Sequence, residues 1–198
     1  MLPSFSLEVF SPKTASAAQT LQSTLASLTP FGPTFTSVTV GTGNGSPCLT
    51  DETLTSLKGH AVGDTAAHIA SAGFSLDALA TRADHHLAQG VKMAVAIRGD
   101  DGGRASVPVP KLVDLLCQKG FRVVVGAYPE THPQAASDQA CLDMLKAKQD
   151  AGATAAITQF FFHADTFFRF QDRARATGIT LDLIPGILPV VNWDATSR

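Results

Sequence analysis

MAVAIRGDDGGRASVPVPKLVDLLCQKGFRVVVGAY, residues 93–128, holds one complete strand–helix–strand unit. Met93 to Ile97 is a short apolar run with the length and composition of a buried strand. Val109 to Gln118 repeats its apolar residues at helical spacing and stops before Gly120, as a helix end does. Phe121 to Ala127 is a second strand, rich in valine. Each strand finishes on a polar or special residue, Arg98 and Tyr128, and these stand 30 positions apart.

Working outward, the same unit recurs. Further strand candidates are Phe5 to Phe10, Phe35 to Val40, Thr65 to Ala70, Thr154 to Phe161 and Leu181 to Ile187. Leu76 to Gln89 reads as a helix capped by Ser75. Ser137 to Asp150 ends before Gly152, and Asp165 to Ala176 ends before Gly178. The last of these sets Phe167, Phe168 and Phe170 beside Arg169, Asp172, Arg173 and Arg175, an apolar stripe next to a charged face. One residue near each strand end gives the series Glu8, Thr39, His68, Arg98, Tyr128, Gln159, Pro185, at intervals of 31, 29, 30, 30, 31 and 26. That repeat is the length of a strand–helix unit with short loops, and it implies parallel strands with right-handed crossovers.

Two architectures satisfy such a repeat: an open doubly wound sheet or a closed barrel. Ser11-Pro12-Lys13-Thr14 follows the first strand where a dinucleotide-binding sheet would carry G-x-G-x-x-G. Polar residues recur at every strand end, and a barrel gathers such ends at one mouth. The expected fold is therefore α/β, a (β/α)8 TIM-type barrel spanning residues 1–198 as a single domain. Seven strands are countable and only Val190 to Arg198 follow the last, so the barrel is expected to lack its final strand–helix unit and to be incomplete at the C-terminus.

Composition narrows the partners. The chain has 198 residues, 44% hydrophobic and 16% charged, with a net charge of -2, which gives no electrostatic footprint for nucleic acid or an anionic membrane. Cys48, Cys117 and Cys141 lack metal-ligand spacing, and an odd number suits a reducing, cytoplasmic setting more than a disulfide framework. No metal is expected. The N-terminus does not read as a signal peptide, and no apolar stretch is long enough to span a bilayer.

Several strand-end residues could carry chemistry. Glu8 interrupts the apolar run Ser6-Leu7-Glu8-Val9-Phe10. Facing the interior, its carboxyl would be desolvated and pushed toward a pKa useful to a general acid; facing outward, it would pair with a helix. Arg98-Gly99-Asp100 offers a donor fork, close backbone approach and a fixed negative charge, or simply a charged turn. His68 is either a core histidine or a site residue. Tyr128 could stack on a planar ligand or merely end its strand, with His132 following in the loop. Gln159 can donate and accept, while the run of phenylalanines after it is mostly core. His85 and His86 lie on a helix and receive no function. The residues alone reach a barrel-mouth site for a polar, planar ligand.

SLEVFSPKT at 6–14, FTSVTVGTGNG at 35–45, AVAIRGD at 94–100, AYPETHP at 127–133, KAKQDAGATAAITQFFF at 146–162 and IPGILPV at 184–190 together resemble the methylenetetrahydrofolate reductase family. The six blocks stand in the family's order. The resemblance implies a barrel that binds FAD, is reduced by NADH or NADPH, and reduces 5,10-methylenetetrahydrofolate to 5-methyltetrahydrofolate by a ping-pong scheme. It places the chain in one-carbon metabolism, supplying methionine biosynthesis, and implies a homo-oligomer. Carried over by motif, Glu8 resembles the general acid. Asp100 lies near flavin and folate. Thr39, His68, Arg98, Gly99, Tyr128, His132 and Ala135 fall on flavin- or nicotinamide-contacting positions. Lys148 resembles a basic residue near the FAD phosphates, and Gln159 an amide that contacts folate and nicotinamide. Departures are Ser11 before Pro12 where the family has two prolines, Val40 where an aromatic is common, and Cys141 and Met144 in place of polar residues on the FAD ribose or adenine side. Two other readings are a non-catalytic flavin- or folate-binding partner subunit and an unrelated barrel isomerase.

Overall fold

The structure, a computed structural model, describes residues 4–40, 47–58, 63–99 and 107–190, with the side chains of 47 and 48 excepted. Its backbone contacts cluster into two compact units, Met1–Val124 and Val125–Arg198, and the division falls inside the fifth strand. Strands follow one another in the sheet in chain order.

The first unit contains strands β1 (Leu7–Val9), β2 (Phe35–Val38), β3 (Asp64–Ala70), β4 (Met93–Ile97) and the beginning of β5 (Arg122–Ala127). The pairs β1–β2, β2–β3 and β3–β4 are parallel, with Glu8 opposite Ser37, Val38 opposite Ala67 and His68 opposite Val95. A parallel strand must be reached by a crossover, and helices supply it here: α1 (Ala15–Leu28), α2 (Pro47–Leu57), α3 (Leu76–Ala88) and α4 (Val109–Gln118). Thr14 and Ser75 cap α1 and α3 by accepting from Ala17 N and Ala78 N. A proline in the first turn of α4 loses no intrahelical hydrogen bond.

The middle strands are buried on both faces, as in a parallel sheet covered on both sides. All four residues of β2 are buried, and Ala66, Ala67, Ile69, Ala94 and Ala96 are fully enclosed. The Ala-rich strand β3 runs to 7 residues. Leu112, Val113 and Leu116 form the buried face of α4.

The second unit contains the end of β5, then α5 (Asp138–Asp150), β6 (Ala155–Thr158), α6 (Ala164–Ala176) and β7 (Asp182–Ile184), with β6 and β7 parallel. Ser137 caps α5 through Ala140 N at 3.1 Å. The observed β1, β6 and β7 are shorter than the apolar runs that announced them. The flanking residues do not join the ladder, and several are exposed: Phe10 is 75% exposed and Ile187 81%.

Helices α1 and α2 are additions to the four that periodicity picked out. Both are rich in serine and threonine, whose hydroxyls weaken the helical signal by competing for the backbone. Here those hydroxyls bond back one turn: Thr20 to Ser16 O, Ser27 to Ser23 O, Thr53 to Leu49 O and Thr55 to Asp51 O, at 2.7–3.0 Å.

The aromatic stripe of α6 is divided by the packing. Phe170 is 2% exposed and Phe168 is 56% exposed, while Phe167 stacks on Phe161 at 5.6 Å. Phe170→Ala should accordingly cost about 3–5 kcal/mol, and Phe168→Ala under about 1 kcal/mol, in urea unfolding. Equal losses would contradict this burial pattern.

Candidate active site

In the first unit the candidate residues sit at the carboxyl ends of β1 to β4. Parallel strands present these ends on one side, where open valences of the ladder meet ligands. Glu8 lies within β1 and His68 within β3, and Glu8 Oε2 is 3.7 Å from His68 Nε2. The two groups sit differently in solvent: the His68 side chain is 8% exposed and that of Glu8 is 48% exposed. Burial pushes the His68 imidazole down to about 4, so it is uncharged at neutral pH. Partial burial raises the Glu8 carboxyl above its ordinary value. Their proximity is therefore a contact between a carboxyl and a neutral imidazole rather than a salt bridge.

Thr39 directly follows β2 and donates its N–H to Val9 O at 3.0 Å, which ties the ends of β1 and β2 together. Its hydroxyl is buried with no hydrogen-bond partner, as are His68 Nε2 and the Ser71 hydroxyl. Buried polar atoms left unpaired are uncommon and costly, so three of them on neighbouring strand ends fit a site that a polar ligand completes. Ser71, which stands right after β3 and donates its N–H to Ile97 O, was not picked out from the sequence. Its signal was a hydroxyl closing an otherwise apolar strand. Arg98 follows β4, and its carbonyl accepts from Ala72 N at 2.9 Å. Gly99 has φ +79° and lies so near Ala70 that an added Cβ would stand 2.9 Å from the alanine Cβ. Position 99 needs glycine on both counts. Asp100 lies outside the described residues.

In the second unit the candidates gather around the end of β5. Lys148, in the last turn of α5, is buried and donates to Gly126 O at 2.8 Å. Desolvation brings its ammonium down to about 8, which leaves it mostly charged at neutral pH. Gln159 follows β6 and donates its backbone N–H to Ala127 O at 2.8 Å, with its side chain exposed. Tyr128 meets His132 edge to face, with ring centroids 4.6 Å apart. Ala135 N donates to His132 O, and Gln134 N donates to His132 Nδ1. Cys141 is partly buried and Met144 is 47% exposed.

His85 and His86, given no role from the sequence, both reach Asp51 on α2: His85 Nε2 at 3.1 Å and His86 Nδ1 at 3.5 Å. This contact joins the N-terminal half of α2 to the last turn of α3, away from the strand ends. Among the described residues no group of three or more ligating side chains could hold a metal ion. Nor is any helix among them long and apolar enough to cross a membrane.

A parallel α/β sheet with buried, unpaired polar atoms at its strand ends defines a class of ligand-binding fold. Comparison with known proteins makes that class specific. The family model described as methylenetetrahydrofolate reductase matches residues 2–198, and the chain belongs to this family. The 5,10-methylenetetrahydrofolate reductase of Pectobacterium carotovorum subsp. carotovorum is 41% identical over 192 residues, covering 95% of this chain and 64% of that protein. The Escherichia coli K12 protein of the same name is 40% identical, covering 98% and 67%. The chain thus spans about two thirds of the length of these relatives. Among solved structures, an uncharacterized Clostridium thermocellum protein that binds two copies of 5-methyl-5,6,7,8-tetrahydrofolic acid superposes with TM-score 0.65 over 92% of this chain and 64% of that one, at 11% identity. A 2,3-dimethylmalate lyase superposes with TM-score 0.61 over 98% and 76%, also at 11% identity. At such identities the likeness is one of fold.

The buried imidazole carries a pH dependence. Unfolded, His68 takes up a proton near its ordinary 6.5; folded, it does so only near 4. Its contribution to stability is complete above pH 6.5 and is lost as the pH falls toward 4. Wild-type stability relative to His68→Leu should therefore decline by up to about 3 kcal/mol across that interval, measured by urea denaturation at each pH. A constant difference would show that the folded imidazole titrates normally.

Proposed function

We propose that this chain forms a (β/α)8-type barrel that reduces 5,10-methylenetetrahydrofolate to 5-methyltetrahydrofolate with FAD and NADH or NADPH. The observation that carries the reading is Glu8, a partly desolvated carboxyl beside an uncharged imidazole, at strand ends whose buried hydroxyls have no partner. A carboxyl whose affinity for its proton is raised is suited to deliver that proton.

The donor set fits the cofactor. Thr39, His68 and the Arg98-Gly99 turn would hold the flavin ring system. Tyr128, His132 and Ala135 would contact flavin or nicotinamide, and Lys148 would lie near the phosphates. Bound there, FAD supplies a two-electron relay between nicotinamide and folate, which take turns at one face. Glu8 would deliver a proton to folate N10 as the bond between N10 and the methylene carbon breaks, so that N10 leaves as a neutral amine and the carbon stays on N5. Neutral His68 keeps positive charge away from Glu8; a charged imidazole there would draw the proton off and leave a poorer acid. Gln159 presents an amide that both donates and accepts, matching the pterin and carboxamide edges. By the family resemblance alone, Asp100 would add a negative charge near both ligands.

A partner subunit that binds flavin or folate without turnover is the second reading, favoured by Cys141 and Met144 at positions expected to be polar. One experiment separates the two. The purified chain with FAD should show a flavin spectrum bleached by NADH or NADPH and restored by methylenetetrahydrofolate; a folded chain with no bleaching would sink the reductase reading. Glu8→Gln should leave bleaching by the nicotinamide within about threefold while slowing reoxidation by folate about a hundredfold or more. Equal loss in both half-reactions would remove Glu8 as the acid.

A further inference from the structure

The loop from Tyr128 to Ser137 carries three proposed flavin or nicotinamide contacts, yet it belongs to no helix or strand. Glu130, Thr131, Pro133 and Gln134 in it are exposed. Its internal hydrogen bonds centre on His132, which accepts from Gln134 N and Ala135 N. Such a loop would move on its own unless something outside it holds it in place.

Two side chains supply that hold. Asp138, the first residue of α5, spends its two carboxylate oxygens on different elements. Oδ1 accepts from the Thr131 hydroxyl in the loop, and Oδ2 accepts from Arg173 Nη1 in the last turn of α6. Arg173 then uses Nη2 to donate to Pro129 O at 3.2 Å, at the start of the same loop. The loop is thus pinned at residues 129 and 131, on either side of Glu130, by one guanidinium and one carboxylate that also hold each other. A planar fork with several fixed donors can bridge a carboxylate and a carbonyl at once in a set geometry, which the rotatable donors of an ammonium do not impose. Asp138 also sits at a helix N-terminus, which favours its negative charge.

Pro129, Thr131, Asp138 and Arg173 border an open cavity of about 640 Å³, whereas the space that Thr131, Asp138 and Arg173 share with Cys141 and Phe170 is only about 10 Å³. The tether adds little to global stability. The Arg173 and Asp138 side chains are 41% and 52% exposed, and exposed ion pairs contribute little to folding. What a double tether of this kind fixes is where the loop stands.

We infer that Asp138 and Arg173 are positioning residues that hold the loop after β5 in the conformation the cofactor meets. The inference rests on the reductase reading for the cofactor's identity, while the tether itself stands on the contacts alone. The test uses the purified chain and three variants. Arg173→Met removes both arms of the fork, Thr131→Val removes only the loop hydroxyl, and Lys146→Ala removes an exposed ion pair to Asp150 on the same helix as a control.

Amide hydrogen exchange over 129–136, without flavin, should quicken about tenfold or more in Arg173→Met, less in Thr131→Val, and not at all in Lys146→Ala, with the thermal midpoint held. FAD affinity, read by flavin fluorescence quenching, should weaken about tenfold in Arg173→Met, as loss of orientation does. Unchanged exchange in the loop overturns the tether. Quickened exchange with FAD affinity intact overturns its positioning role. If Arg173→Met does not fold, the exposed Thr131→Val substitution decides the same two points with smaller effects. If the wild-type chain binds no FAD, the reductase reading and the positioning role fall together, whereas the exchange data still decide the tether.

Discussion

Parallel strands cannot be joined by a tight turn, and most of this structure follows from that constraint. Each strand must be followed by a crossover long enough to carry the chain back to the end of the sheet at which the strands begin. The crossovers here are helices, which is why the sequence repeats at about 30 residues and why strand order follows chain order. Helices laid over a sheet bury its strands on both faces, so β2, β3 and β4 are apolar without alternation. The same geometry places every strand's carboxyl end beside its neighbour's. Glu8, Thr39, His68 and Arg98 are neighbours in the first unit because the ladder makes them so, although some 30 residues separate each from the next.

Burial then sets the chemistry of those ends. His68 is enclosed enough to lose its charge, Glu8 enough to hold its proton more tightly, and Lys148 enough to come down to about 8 while keeping its ammonium hydrogen-bonded to Gly126 O. Desolvation is the leading cause in all three, and it acts in opposite directions on acids and bases. A carboxyl and an imidazole that would form an ion pair in water are thereby held as a protonatable acid beside a neutral base. Unpartnered hydroxyls at Thr39 and Ser71 have the same origin: the strand ends are covered before their polar atoms are satisfied.

Support for the site comes from outside it. The loop after β5 owes its place to Asp138 and Arg173 on α5 and α6, and the backbone at Gly99 just after β4 passes close to Ala70. Neither signal is visible as a motif. An aspartate at the first position of a helix and an arginine near the end of another are ordinary helix-end residues, and only packing shows that they share a loop.

The sequence by itself determined the class of fold, the order of the strands and the family. Those rest on local information: apolar runs of strand length, glycines past helix ends, and six motif blocks in order. It also marked nearly every strand-end candidate, because a polar residue closing an apolar strand stands out from its neighbours. Local pattern was not enough for α1 and α2, whose serine and threonine hydroxyls mask the helical period until they bond back to the turn before. Nor could it set Glu8 beside His68, divide Phe170 from Phe168, or find Ser71, Asp138 and Arg173. Only the tertiary structure decided those, since exposure, protonation and partnership depend on residues brought close from far along the chain.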